Sequence, residues 1–265
     1  MLKFDLKKME KIYKMDYNHF NEFLPYNSQK DYYFKDNHSS ILAVAHLDTV
    51  IKCSHFKLLS MPHKDLLFSP VHDDRLGAYL LLDYLPKLGI SYDILLTNNE
   101  EKGQSTAKYF TEKNYNWMFQ FDRASDDVVL YDYETHQLKE ILRNSNFTVG
   151  IGSYSDICDL THLNCSGFNF GTCYYNQHTL DSFADLSELY LQIDKFKSFY
   201  SQYKNSPFPY SPSPFDYTLN HYYDDDNDFP CSICGDYIDT DSILSYDTKR
   251  LVEYYKICPL CLRDN

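Results

Sequence analysis

Five short segments gather histidines and carboxylates: residues 45–48 (AHLD), 72–77 (HDDRLG), 99–103 (NEEKG), 121–123 (FDR) and 176–179 (NQHT). Carboxylate oxygens and imidazole nitrogens together suit Zn, Mn or Co, and the mixture is too rich in nitrogen for a magnesium site. A carboxylate has two oxygens and can span two cations roughly 3.5–4 Å apart. In Glu100-Glu101 the adjacent side chains diverge, so one can coordinate while the other faces a water. A metal-ligating histidine needs its other ring nitrogen held, and Asp48, two residues after His46, is placed to hold it. Each segment alone has a plainer explanation. His46 could be a satisfied core histidine, Asp73-Asp74-Arg75 a helix start with a surface pair, and Glu100-Glu101 solvated loop charge. Asp122 could cap a turn, and His178 could simply be exposed. Their joint occurrence, in this order and at strand-to-loop boundaries, is what points to one site.

The elements that must position these residues follow from periodicity. Residues 1–24 read as an amphipathic helix with Met9, Ile12, Tyr13 and Phe20 on one face. Residues 31–36 and 41–46 read as two strands joined by a turn. A helix is expected over 76–88, closed by Gly89, and another over 105–113. Further strands are expected at 94–97, 115–121, 127–131, 147–151 and 168–170. Residues 186–200 form the strongest helical pattern, begun by Asp185 with Glu188 three residues on, as in a capping box. This alternation predicts an α/β fold, a mixed and mainly parallel sheet sandwiched by helices. Ligands of such sheets bind beyond the carboxyl ends of the strands. The chain has only eight glycines. Gly77 and Gly103 follow the D-D-R and E-E motifs, where helices must start tightly against the site.

Composition bounds the function. Of 265 residues, 43% are hydrophobic and 24% charged, which predicts a packed core and excludes wholesale disorder. A formal net charge of -13 argues against nucleic acid or an anionic membrane surface as partner. No apolar run approaches the roughly 20 residues that cross a bilayer. The charged amino-terminal stretch lacks the apolar middle of a signal peptide, so a cytoplasmic protein is expected. The expected domains are a catalytic unit over 1–204, a Pro/Asp-rich linker over 205–230 and a cysteine unit over 231–265. Cys231, Cys234, Cys258 and Cys261 form two C-x2-C knuckles, which suit one structural zinc ion held by four thiolates. This unit resembles a zinc ribbon, a module that most often binds a partner, and offers a surface for a protein or for folding back on the site entrance. Cys53, Cys158, Cys165 and Cys173 lack ligand spacing and are expected as free thiols.

Taken together, H-x-D, D-D-R-x-G, E-E-x-G, an Asp and a late His resemble the co-catalytic dinuclear zinc exopeptidases, aminopeptidases and carboxypeptidases on a phosphorylase/hydrolase-like α/β fold. The resemblance runs from about residue 40 to 182. It implies His46 and Asp122 as ligands of a first metal, Asp73 as the bridging carboxylate, and Glu101 and His178 as ligands of a second. It implies Glu100 as general base and Asp48 as the partner orienting His46. The cofactors implied are two divalent ions, Zn or in its place Co or Mn. Many relatives insert a lid or dimerisation domain; the short stretch between Glu101 and His178 leaves no room for one. His72 is open to either a substrate contact or a structural role. Residues 153–156 (SYSD) could form a substrate-side loop or a helix start at Ser155. The activity implied is hydrolysis of peptide amide bonds, with an aminopeptidase on short peptides first. A deacylase of N-acyl substrates and an inactive relative kept as a binding module are the alternatives. Completeness of the ligand set favours an enzyme over the last.

Overall fold

A computed structural model describes residues 2–210 and, beyond them, the antiparallel pairing of Phe229–Pro230 with Tyr237–Ile238. The chain divides into two units, Met1–Ser213 and Pro214–Asn265. Cys231, Cys234, Cys258 and Cys261, and with them the expected zinc ribbon, lie outside the described residues.

The first unit opens with α1 (Leu6–Tyr13), capped by the Asp5 carboxylate on the Lys8 amide at 3.1 Å. Met9, Ile12 and Tyr13 are buried, but the helix ends at Lys14, and a separate 3-10 turn, Tyr17–Glu22, carries Phe20 inward. The strands β1 (Tyr26–Asn27), β2 (Tyr32–Lys35) and β3 (Ile41–His46) follow, then a hairpin of β4 (Lys57–Met61) and β5 (Lys64–Phe68). The helix α2 (His72–Tyr79) starts four residues before the expected position. It passes through a wider turn at Leu80–Tyr84 into α3 (Leu85–Lys87), and Gly89 closes it at φ +77°. Next come β6 (Asp93–Thr97), β7 (Trp117–Arg123), β8 (Val128–Val129) and α4 (His136–Asn144). The unit closes with β9 (Gly167–Gly171), β10 (Tyr174–Tyr175), β11 (Phe183–Asp185) and α5 (Leu186–Tyr203).

Seven strands form a mixed sheet in the order β1-β2-β6-β3-β7-β9-β8. The inner four, β6, β3, β7 and β9, are parallel, and every residue of β3 and β6 is buried, as strands covered on both faces must be. Alternate side chains feed two cores. Ile41, Ala43, Ala45, Phe119 and Phe121 pack with α1, α2 and α5, while Leu42, Val44, Leu95 and Met118 pack under 3-10 segments that include Asp156–Leu163. A smaller antiparallel sheet, β10-β11-β5-β4, lies beside it, with β4 exposed along its length. Among the described residues no helix is long and apolar enough to cross a membrane.

Several expectations are corrected. The segments 31–36 and 41–46 are not hairpin partners, because β6 lies between them, antiparallel to β2 and parallel to β3. The helix at 105–113 reduces to a 3-10 turn, Thr106–Tyr109, and 147–151 contributes only a bridge at Val149. Residues 206–210, assigned to the linker by their prolines, pack on the first unit: the Phe208 amide donates to Asn116 at 2.8 Å and its carbonyl accepts from Ser166 at 2.7 Å. Asp185 does cap α5, on the amides of Ser187 and Glu188, but Glu188 does not close a capping box and instead accepts from the Tyr175 hydroxyl.

Two glycines explain how α2 reaches the sheet and how a turn closes beside it. A Cβ on Gly77 would stand 2.2 Å from the Phe121 carbonyl oxygen, so only glycine lets the helix lie this close to β7. Gly103 has open space but φ +64°, a left-handed turn. With glycine scarce, other residues take left-handed positions too: His38, Asn146 and Asn164, and also Asn99, Tyr131 and His178. Gly77→Ala is expected to cost about 3 kcal/mol by urea denaturation, through overpacking against backbone that cannot yield. Gly89→Ala should cost only about 1 kcal/mol. Equal midpoints for Gly77→Ala and the parent would contradict the packing account.

Candidate functional site

The central sheet reverses its winding between β3 and β7, since β3 leads on to β6 and β7 leads on to β9, on opposite sides. Such a switch point opens a crevice at the carboxyl ends of the strands. His46 is the last residue of β3. Asp122 sits near the end of β7, where the register to β9 shifts between Phe121 and Arg123. This bulge turns Asp122 out of the ladder. The Asn169 side-chain oxygen replaces the missing partner, accepting from the Asp122 and Arg123 amides at 3.1 Å each. Asp73 stands in the first turn of α2. Glu100 and Glu101 occupy a 3-10 turn after β6, entered by left-handed Asn99 and left by Gly103. His178 comes from the loop between β10 and β11, itself at φ +57°.

These elements bring the five expected ligands and Glu100 together. His46 Nε2 is 3.0 Å from Asp122 Oδ1, and His178 Nε2 is 3.2 Å from Asp73 Oδ2 and 3.8 Å from Glu101 Oε2. Donor atoms of His46, Asp73 and Asp122 lie within 4.8 Å of one another, and so do those of Asp73, Glu101 and His178. Asp73 is common to both triads. A third grouping, His46 with Glu100 and Glu101, sets Glu100 against the same place. A cleft of about 280 Å³ opens over them, walled by Arg123, Tyr131, Tyr154, Asn169 and Gln177 among others.

Electrostatics fits the donors to cations. Burial, reinforced by Asp122, pushes the Asp73 carboxyl up to about 8. Burial also raises Glu100, with Asp122, Asp156 and Glu101 adding to it. Burial alone would lower the His46 pKa, but the carboxylates of Asp122 and Asp48 overrule it and raise it. Among the described residues no lysine or arginine pairs with Asp73, Glu100, Glu101 or Asp122. Arg123 is spent on Asp127, at 3.0 and 3.2 Å, and Arg75 on the carbonyls of Leu47 and Met15. Glu101 Oε1 is buried without a hydrogen-bond partner. Two like charges about 5 Å apart at an effective dielectric of about 20 repel by roughly 3 kcal/mol. Crowded, orphaned carboxylates with two imidazoles therefore suit divalent ions of the Zn, Co or Mn kind.

Asp48 stands beside His46 and has a second task. Its two oxygens accept from the amides of Glu100 and Glu101, at 3.1 Å each. Its carboxylate is 3.6 Å from His46 Nδ1, whose hydrogen-bond contact is the Asp48 carbonyl at 3.3 Å. Burial would raise the Asp48 pKa, but His46 and the two amides outweigh it and hold the group low. Asp48 thus fixes the Glu100–Glu101 turn against the His46 strand.

Other expectations resolve clearly. His72 is structural: buried, it contacts the Tyr13 hydroxyl at 2.9 Å and the Leu67 carbonyl at 2.8 Å, and burial lowers its pKa to about 3. Arg75 belongs to no surface pair and is buried. Ser153 and Tyr154 line the cleft, and a 3-10 segment starts at Asp156, where the Ser155 hydroxyl bonds Gln120 and makes no cap.

The residues missed in the sequence are those with no motif around them. Tyr174 donates its hydroxyl to Asp73 and lies 3.2 Å from the Asp122 carbonyl. Asn169 supports the bulge. Asp156, singled out only as the end of the 153–156 segment, is fully buried and collects Thr97, Ser105 and Gln120 at 2.7, 2.5 and 2.9 Å behind the site. An apolar run interrupted by one polar residue, as in GFNFG around Asn169, was the available signal.

The fold matches that of aminopeptidase PepT from Bacillus cereus, with a TM-score of 0.55 at 10% identity over 73% of this chain and 96% of that one. A tripeptidase from Staphylococcus aureus aligns with a TM-score of 0.48 at 11% identity over 63% of this chain and 82% of that one. The dodecamer PhTET1-12s aligns at 0.48 and 9% identity over 74% and 98%. No family model matches the chain, and no curated protein matches it.

Asp48→Ala should lower stability by about 2 kcal/mol, because two amides lose a charged acceptor. Asp48→Asn, which keeps one acceptor oxygen, should lose about half as much. Urea denaturation of both variants reads this. An Asp48→Ala protein within about 0.5 kcal/mol of the parent would show that the double hydrogen bond holds nothing.

Proposed function

We propose that the chain is a hydrolase of peptide amide bonds that works with two divalent cations, and that it is an aminopeptidase acting on short peptides. The observation that carries this reading is the pair of donor triads, His46–Asp73–Asp122 and Asp73–Glu101–His178, which share one carboxylate and have Glu100 beside them. His46 and Asp122 would hold one ion, Glu101 and His178 the other, with Asp73 between. Bound there, the ions would supply a Lewis acid for the amide carbonyl and lower the pKa of a water toward neutrality.

The chain's own groups do the rest. Glu100 takes a proton from the attacking water and returns it to the leaving nitrogen, a task suited to a carboxylate set beside both donor triads. Asp48 keeps Glu100 in place through its backbone amide, and Tyr174 holds one oxygen of Asp73. The fold shared with PepT agrees with this reading without carrying it.

A cytoplasmic setting belongs to the same proposal, in keeping with free thiols at Cys53, Cys158, Cys165 and Cys173. A structural zinc ion on Cys231, Cys234, Cys258 and Cys261, and a protein partner for that unit, complete it.

Elemental analysis of the full chain is expected to find three ions, two in the cleft and one on the cysteines, and Asp73→Asn should lose the cleft pair selectively. The metal-loaded protein should release amino-terminal residues from a panel of dipeptides and tripeptides. Glu100→Gln should keep its ions and lose turnover by about three orders of magnitude. Normal turnover in that variant, or a single ion in the parent, overturns the mechanism.

A further inference from the structure

Three tyrosines line the cleft, and their hydroxyl protons have different fates. Tyr174 gives its proton to Asp73. Tyr154 gives its proton to Asp159 Oδ2 at 2.7 Å, while accepting from the Ser105 amide at 3.0 Å. Tyr131 accepts: Asn169 Nδ2 donates to its oxygen at 2.9 Å, the Ser155 hydroxyl stands beside it, and no carboxylate among the described residues takes its proton. Asn169 Nδ2 also lies 3.4 Å from Asp122 Oδ2, so the phenol is one side chain removed from a proposed ligand.

The backbone holds this hydroxyl deliberately. Tyr131 has φ +46°, a left-handed conformation that a bulky side chain rarely adopts and that clusters at functional sites. Gly152 makes room for the ring: a Cβ there would stand 2.8 Å from Tyr131 Cε1 and 3.3 Å from Cζ. The strained turn, the bare glycine and the Asn169 hydrogen bond fix one phenol oxygen at the wall of the cleft with a proton to give. Burial raises its pKa, so the proton stays on at neutral pH.

Resting on the hydrolase reading above, we propose that Tyr131 is a further catalytic residue, the hydrogen-bond donor to the amide carbonyl oxygen as it becomes an oxyanion. Water adds to the carbonyl carbon, the π pair moves to oxygen, and Tyr131 stabilises that charge without surrendering its proton. When the pair returns, the C–N bond breaks, and the nitrogen takes the proton carried by Glu100. A donor fixed before the reaction is worth most when charge develops.

The test uses the full-length, metal-loaded protein and the peptide of the panel that it cleaves fastest. Tyr131→Phe should lower kcat about 10²–10³-fold and leave KM within about threefold, since the lost interaction is made only in the transition state. By calorimetry, a phosphinic isostere of the same peptide, tetrahedral at the reacting centre, should bind about 10²-fold more weakly. The free amino-acid product, the metal content and Tm should be unchanged. Gly152→Ala, which keeps the hydroxyl but displaces its ring, should show the same selective loss. If Tyr131→Phe keeps parental kcat and isostere affinity, the proposal falls and the hydrolase reading stands. A variant that loses its ions or its fold while Gly152→Ala behaves as the parent also overturns it. A parent protein that neither cleaves the panel nor binds the isostere removes both.

Discussion

Repulsion among carboxylates governs this structure. Asp73, Glu100, Glu101 and Asp122 converge at the carboxyl edge of the parallel strands, with Asp74 and Asp156 directly behind, and no lysine or arginine among the described residues pairs with the first four. Left to themselves such groups would part or hold protons, and the raised pKa values of Asp73 and Glu100 record that tendency. The surrounding devices keep them assembled. Gly77 lets α2 press Asp73 toward β7, the bulge aims Asp122, Asp48 ties down the glutamate turn, and Tyr174 secures Asp73. A divalent ion is the natural counterweight to this arrangement, which is why the cleft reads as a metal centre before any comparison with other proteins.

The proposed ligands come from three separate parts of the fold. The central sheet and the turn after β6 supply His46, Asp122 and Glu101, α2 supplies Asp73, and the small sheet supplies His178 through the loop between β10 and β11. Their relative placement depends on packing between these parts, so the aromatic core also serves the site. Phe196 of α5 sits with its ring centroid 4.8 Å from Phe119, and 4.9 Å from both Phe121 and Phe170. It thereby braces the strand that carries Asp122. The abundance of phenylalanine, uninformative as composition, has this structural use.

The site was more legible in the sequence than the topology. His46, Asp73, Glu100, Glu101, Asp122 and His178 stand in short stretches whose residue types declare their chemistry, and local spelling survives any arrangement of strands. Strand neighbours are set by long-range pairing, which explains why β2 and β3 looked like a hairpin although β6 separates them. The β4–β5 hairpin was missed because it is exposed and lacks a buried alternation on β4. Asp48 illustrates a subtler limit. Its spacing to His46 suggested a histidine partner, beside which it stands, but not the amides about fifty residues away that its carboxylate also binds, a contact that only the folded chain creates. Asn169, Tyr131 and Tyr174 act through contacts of the same non-local kind.

The shortage of glycine leaves non-glycine residues in left-handed turns, each strained by roughly 1–2 kcal/mol. Glycine at such a position relieves that strain and gives back roughly 0.5–1 kcal/mol in chain entropy. Positions such as His38, Asn146 and Asn164, away from the cleft, are therefore unused reserves for thermal hardening of the scaffold. At Asn99, Tyr131 and His178 the same exchange would relax turns that border the cleft, so durability and precision compete there and nowhere else along that set.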